Sequence, residues 1–115
     1  PEIADTPAES VNYVSAHDNL TLRDKLARAL PSGLPDAEGR ALRLAHAAVL
    51  LAPGIAFLEG GAELGRTKGG NPNSYDAGDR VNRFDWAAAP RFAPTTAFVR
   101  ALIALRRAHP SLRLE

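Results

Sequence analysis

The 115 residues contain no cysteine and no methionine, a single tryptophan, and only 6% aromatic residues in all. Without a thiol there is no disulfide framework, no thiolate zinc site and no cysteine nucleophile. The compartment stays open on this count, because exported enzymes without cysteine exist. The lack of methionine sets up the expectation that Pro1 is an internal position of a longer polypeptide. An excess of either charge is also missing: 14 Lys and Arg face 13 Asp and Glu, a formal balance of +1. That argues against a nucleic-acid binder, which relies on a dense basic surface. The longest apolar run, residues 45–52 with His46 inside it, falls far short of the roughly 20 residues a membrane helix needs. The start, Pro1-Glu2-Ile3-Ala4-Asp5, has no basic stretch leading into an apolar one, so no signal peptide and no membrane partner are expected. What remains is 45% apolar and 23% charged residues, the make-up of a folded globular chain of one domain.

Residues 1–10 are acidic and irregular and read as a surface lead-in. Residues 11–16 form a β-leaning run, with Val11 and Tyr13 on one face and Val14 on the other. It stops at three polar residues, His17, Asp18 and Asn19. Thr21 is placed to cap a short helix over 22–30, which residues 31–35, Pro-Ser-Gly-Leu-Pro, then break. Asp36 is placed to cap a longer helix over 37–52. Its apolar stripe Leu42, Ala45, Val49 and Ala52, beside Leu44, Ala48 and Leu51, predicts that it is mostly buried. Pro53-Gly54 stops it. A second apolar run, Ile55 to Leu58, ends in Glu59-Gly60-Gly61 and reads as a strand buried on both faces. A long polar loop over 66–85 follows, and a last helix over 97–108 is predicted, capped by Thr95 or Thr96 and facing Phe98, Leu102 and Leu105 inward. His109-Pro110 ends it.

Two strands separated by helices imply an α/β unit with parallel pairing. Two parallel strands do not stand alone, so the chain reads as a section of a larger β/α structure. In β/α barrels the C-terminal strand ends carry the active site. His17 and Asp18 lie at one such end, Glu59 and Glu63 near the other. Taken by itself, an adjacent His-Asp pair more often caps the next helix than it catalyses. A metal site needs three or four convergent ligands, and His46 and His109 are too scattered for one, so none is expected. His46 reads as a core histidine with its hydrogen bonds satisfied, Trp86 as packing that closes the loop, and Arg66 as a structural anchor.

The run from Val11 to Asn19, followed by Thr21-Leu22, resembles the fourth conserved region of the alpha-amylase superfamily of glycoside hydrolases. Gly54-Ile55-Ala56-Phe57-Leu58, Gly60-Gly61-Ala62-Glu63 and the stretch Arg66 to Asp79 resemble the type I pullulanases, as does Leu102 to Arg106 with His109-Pro110. The resemblance covers residues 11–113. It implies that residues 1–115 are the C-terminal section of a (β/α)8 TIM barrel, its seventh and eighth βα units. It implies hydrolysis of α-1,6 linkages in pullulan and branched starch or glycogen with retention, by three carboxylates. Asp18 matches the transition-state stabiliser after the seventh strand, and His17 the neighbour that hydrogen-bonds the sugar. The nucleophile and acid/base would lie on earlier strands, the missing remainder of the barrel, so this chain alone is expected to be inert. Glu63 falls in the turn after the eighth strand and is not expected to replace them.

Asp79 and Arg83, with Asn82 between them, match the Asp-x-x-Asn-Arg spacing with which the superfamily holds a sugar. The alternative is that Asp79 and Arg83 pair with each other and fold the loop. Asn73 and Tyr75 join the substrate-binding set. The implied partner is an α-glucan; no cofactor is required, and calcium is left open for the whole enzyme. An exported parent is favoured, pullulan being too large to enter a cell, though cytoplasmic relatives exist. Arg23 departs from the family, which carries an aromatic there, and puts the local packing in question. The competing readings are an isoamylase or glycogen-debranching section, and a non-catalytic carbohydrate-binding module derived from such a barrel.

Overall fold

The two predicted strands pair in parallel, as a crossover connection requires. In this computed structural model, which describes residues 5–31 and 36–113, β1 (Val11–Asn12) meets β2 (Ile55–Ala56) with Val11 opposite Ile55 and Asn12 opposite Ala56. The strands are shorter than the apolar runs that predict them. Beyond Asn12 the backbone is diverted: the carbonyl of Val14 accepts from Lys25 Nζ at 2.6 Å instead of from a neighbouring strand. Two helices, α1 (Leu22–Ala29) and α2 (Ala37–Leu51), lie between the strands in the chain. A single turn, α3 (Asp79–Asn82), and a final helix, α4 (Ala93–Ala108), follow β2. The predicted lead-in at 1–4 and the helix break at 32–35 lie outside the described residues. Among the described residues no helix is long and apolar enough to cross a membrane.

Thr21 caps α1 as predicted, its hydroxyl accepting from the Asp24 amide at 3.2 Å. Asp36 does not cap α2. Its backbone lies in the left-handed region (φ +51°), and its carboxylate accepts from Arg43 Nη2 at 3.1 Å instead. The start of α4 also differs from expectation. It begins one turn early, with Pro94 in the first turn, where a missing N–H costs nothing. Thr95 is buried, and the Thr96 hydroxyl donates to the carbonyls of Glu63 and Phe92, so neither is a cap.

Helix α2 packs on both α1 and α4. Leu42 forms one cluster with Leu22 and Phe92; Leu50 forms another with Val99 and Leu102. The stripe Thr95, Val99, Leu102 faces inward from α4, so Phe98 and Leu105 do not; only Leu102 of the predicted trio is buried. Helix α2 is likewise one-sided: Leu42, His46, Val49 and Leu50 are buried, but Leu44 is 71% exposed. Among the described residues the helix neighbours of α2 are α1 and α4, which meet the buried side.

The sheet departs from the sequence reading in the same way. Ala56 and Leu58 pack on the cluster of Leu50, Val99 and Leu102. The opposite face presents Val11, Tyr13, Ile55 and Phe57, each between 43% and 59% exposed. Tyr13 and Phe57 meet there edge to face at 6.1 Å. The strands are thus buried chiefly on the face where α2 and α4 supply Leu50, Val99 and Leu102.

At the α2–β2 junction Gly54 has φ +99°, and a side chain there would collide with the Pro7 carbonyl and Ser10. Arg106 of α4 closes the junction. It donates to the carbonyls of Leu50 (2.8 Å), Ala52 (2.7 Å) and Gly54, groups that a helix end leaves without partners.

Candidate functional site

The turn His17-Asp18-Asn19 follows the β1 run, and its side chains stand in solvent. His17 and Asp18 are 88% and 86% exposed, with Nε2 and Oδ2 3.3 Å apart. Asn19 adopts the left-handed region at φ +63°. Asn tolerates this better than most residues, and its own Oδ1 accepts from the Leu20 amide at 2.8 Å. The turn rests on Lys68, which is buried; its Nζ donates to the His17 carbonyl at 2.5 Å and reaches the Asn19 carbonyl at 3.5 Å.

Lys68 is held in turn by α1. Asp24 is buried and accepts from the Lys68 amide at 2.9 Å and from the Thr67 hydroxyl. That hydroxyl also accepts from the Gly69 amide at 3.0 Å. Burial alone pushes the Asp24 pKa up, but the bonds from Thr67, Lys68, Thr21 and Gly70 outweigh it, and the net shift is downward. The charged form of Asp24 is therefore favoured in the fold, and it ties the loop to the helix.

The rest of the loop is built around Arg66 and Asn82. Arg66 donates to Glu59 Oε1 at 3.2 Å and to the Asn82 carbonyl at 2.9 Å, and its guanidinium lies 4.8 Å from the Phe84 ring. It joins the end of the β2 run to α3, as the anchor reading requires. Asn82 and Ser74 exchange bonds: Ser74 Oγ donates to Asn82 Oδ1 at 2.8 Å, and Asn82 Nδ2 donates to the Ser74 carbonyl at 2.6 Å. The Asn73 backbone amide donates to Asn71 Oδ1 at 2.8 Å, a turn closed by a side chain.

These elements enclose an open recess of about 460 Å³. Its walls include His17, Asp18, Asn73, Tyr75 and Asp79, so five of the six predicted site residues converge. Arg83 does not. It lines a separate small pocket with Arg23 and Phe84. Nor do Asp79 and Arg83 form an ion pair; the Arg83 amide donates to the Asp79 carbonyl at 2.9 Å within α3. Tyr75 is 84% exposed, which makes it a wall of the recess and not core.

Other carboxylates are occupied or elsewhere. Glu59 is paired with Arg66. Glu63 sits in a 3₁₀ turn, Ala62–Leu64, beside a groove with Thr96 and Arg100, outside the recess. Glu38 bridges Arg23 (2.6 Å) and Arg91 (2.8 Å). Arg23 lies 5.0 Å from the Phe92 ring and also donates to the Gly65 carbonyl, so a cation stacked on an aromatic fills the family's aromatic position. Trp86 is not packed inward; it stacks on Phe84 at 5.7 Å and is 68% exposed. His46 is fully buried, but only half satisfied among the described residues. Nδ1 lies 2.7 Å from the Leu42 carbonyl and Nε2 has no partner. Among the described residues no three His, Asp or Glu side chains cluster as metal ligands do.

The sequence reading missed Asp24 and Lys68 as supports of the site. A signal was present for Lys68. It is one of two lysines beside twelve arginines, and both lysines donate to carbonyls of residues 14–19.

No family model matches the chain. Over 113 residues, 98% of its length, it is 43% identical to the pullulanase of Bacillus subtilis strain 168, of which it spans 16%. Over 93% of its length it is 31% identical to an isoamylase of a Flavobacterium species, spanning 17% of that protein. The structure superposes with a TM-score of 0.91, at 45% identity, on a pullulanase from Paenibacillus barengoltzii in complex with maltohexaose and alpha-cyclodextrin. The match covers 97% of this chain and 17% of that one. The chain therefore spans about a sixth of the length of these relatives.

Proposed function

We propose that this chain, a homologue of the pullulanases across nearly its whole length, supplies the seventh and eighth βα units of the catalytic (β/α)8 barrel of a debranching glycoside hydrolase. The whole enzyme cleaves α-1,6-glucosidic linkages in pullulan and branched glucans with retention of configuration. One observation carries the reading: Asp18 opens into the same recess as His17, Asn73, Tyr75 and Asp79 at the C-terminal end of the β1 run.

In a retaining glycosidase one carboxylate attacks the anomeric carbon while a second protonates the leaving oxygen and then activates water. Both are supplied by the remainder of the barrel. Asp18 contributes a negative charge to the distorted, oxocarbenium-like sugar, an interaction stronger in the transition state than in the ground state. His17 hydrogen-bonds the sugar in the reactive subsite, and Asn73 and Asp79 bind hydroxyls while Tyr75 lies against an apolar sugar face. Arg83 takes part only if substrate draws it from the neighbouring pocket. Asp24 and Glu59 are bound internally and Glu63 lies outside the recess, so among the described residues the carboxylates lining it are Asp18 and Asp79, both already assigned. By itself the chain is inactive.

The test is reducing-end release from pullulan by the full-length protein that carries this chain, by its Asp18→Asn variant, and by the isolated chain. The expected result is hydrolysis by the first alone. Wild-type kcat in D18N, or turnover by the isolated chain, would overturn the assignment. The isoamylase match supports a second reading, a section of an isoamylase-type debranching hydrolase. The higher identity to pullulanase favours the first.

A further inference from the structure

We infer that Lys68 is a positioning residue for Asp18, a brace that sets the peptide planes around it; this rests on the role of Asp18 proposed above. Among the described residues the Asp18 side chain is 86% exposed and its polar contact is His17 at 3.3 Å. Its carboxylate is therefore aimed by the backbone of residues 17–19. That backbone turns at Asn19 in the left-handed region (φ +63°), which asparagine tolerates with its own Oδ1 on the Leu20 amide, and the carbonyls of His17 and Asn19 on either side of Asp18 still need partners to fix their planes.

Lys68 supplies those partners from inside. Its ammonium reaches the carbonyl of the peptide entering Asp18, at His17, and the carbonyl one residue beyond it, at Asn19. The side chain is buried, so these bonds form away from competing water. The other end of Lys68 is equally fixed, since its amide donates to Asp24, which the Thr67 hydroxyl also grips. Helix α1, the loop and the turn are linked in one chain of charge-assisted bonds that ends at the Asp18 backbone. A compact ammonium with three rotatable donors reaches both carbonyls from one buried point. Lysine stands here in a chain that otherwise prefers arginine six to one.

Loosening the brace misplaces Asp18 relative to the reacting sugar without removing any group that binds substrate. The loss therefore falls on kcat and not on KM. The experiment measures pullulan hydrolysis by the full-length protein with Asp18→Asn, Lys68→Met and Thr67→Val, each checked for folding by thermal melting. In K68M, kcat falls between about 10-fold and 100-fold, as a misplacement on the order of 1 Å produces, with KM within about twofold. T67V, at an exposed residue that loosens the Asp24 grip, gives a smaller drop of the same kind. A folded K68M with wild-type kcat, or one whose loss is all in KM, overturns the inference. Should K68M not fold, an unchanged kcat in T67V overturns it. If the wild type does not cleave pullulan, or D18N retains its kcat, the role of Asp18 itself fails. With an active wild type and a dead D18N, an active K68M removes the brace alone.

Discussion

At the scale of single residues, the carboxylate of Asp24 is the group whose chemistry is most constrained. It sits inside the fold, yet its pKa lies below the ordinary value of 3.8, because burial, which raises it, is outweighed by donors from Thr67, Lys68, Thr21 and Gly70. The unfolded chain therefore takes up a proton at a higher pH than the folded one. The stability this group contributes is complete above the ordinary carboxylate range, and it is lost as pH falls through the lowered folded value. Asp24→Asn removes that acid-side dependence. At neutral pH it leaves weaker acceptors for Lys68 and Thr67, a cost of about 1–3 kcal/mol for bonds to a charged group. Hydrogen exchange at the Lys68 amide gives the local reading, since that amide donates to Asp24. Faster exchange in the variant at neutral pH is expected, and unchanged protection would show that Asp24 does not hold the loop. Arg23 teaches a related lesson: its stacking on Phe92 follows from its planar cation, but its link to Glu38, fifteen residues away, has no local signature.

At the scale of elements, patterns that are local in the chain were legible. Thr21 with Asp24 marks the start of α1, Pro53-Gly54 the end of α2, and His109 the end of α4. The polar stop at His17-Asp18 at the end of an apolar run located the recess. What was not legible depends on partners distant in sequence. The Val14 carbonyl, just past the end of β1, accepts from Lys25, eleven positions on. The inward face of α4 is decided by what α2 and the turn at Ala62–Leu64 offer it, and the site's supports, Asp24 and Lys68, bond across 44 and 51 positions. Arg106 is the same kind of residue. In the sequence it is one more base near a helix end, which the helix dipole already favours; in the fold it closes a different helix. Replacing it by leucine keeps the apolar stem and strands the carbonyls of Leu50, Ala52 and Gly54. Arg106→Leu should destabilise the protein by about 1.5–3 kcal/mol, seen as a lower melting temperature, with Arg106→Lys recovering part of the loss. An unchanged melt for R106L would mean that water serves those carbonyls equally well.

For the whole molecule, the exposed side of the sheet decides how the chain behaves alone. Val11, Tyr13, Ile55 and Phe57 form one apolar face, and among the described residues the two strands pair only with each other. An uncovered face of this kind beside open strand edges is a template for association. In relatives about six times as long there is ample chain to cover it. Separated from any such cover, the 115-residue chain is expected to self-associate, with sedimentation showing species that grow with concentration and a broad, weakly cooperative melt. Replacing Val11 and Ile55 by threonine keeps β-branched residues in the strands while making the face more polar, and should shift the population toward monomer. The module reading, in which a barrel-derived chain binds glucan without cutting it, requires the opposite result. A monodisperse monomer with one sharp transition and saturable binding of maltohexaose would favour that reading and remove the need for a surrounding barrel.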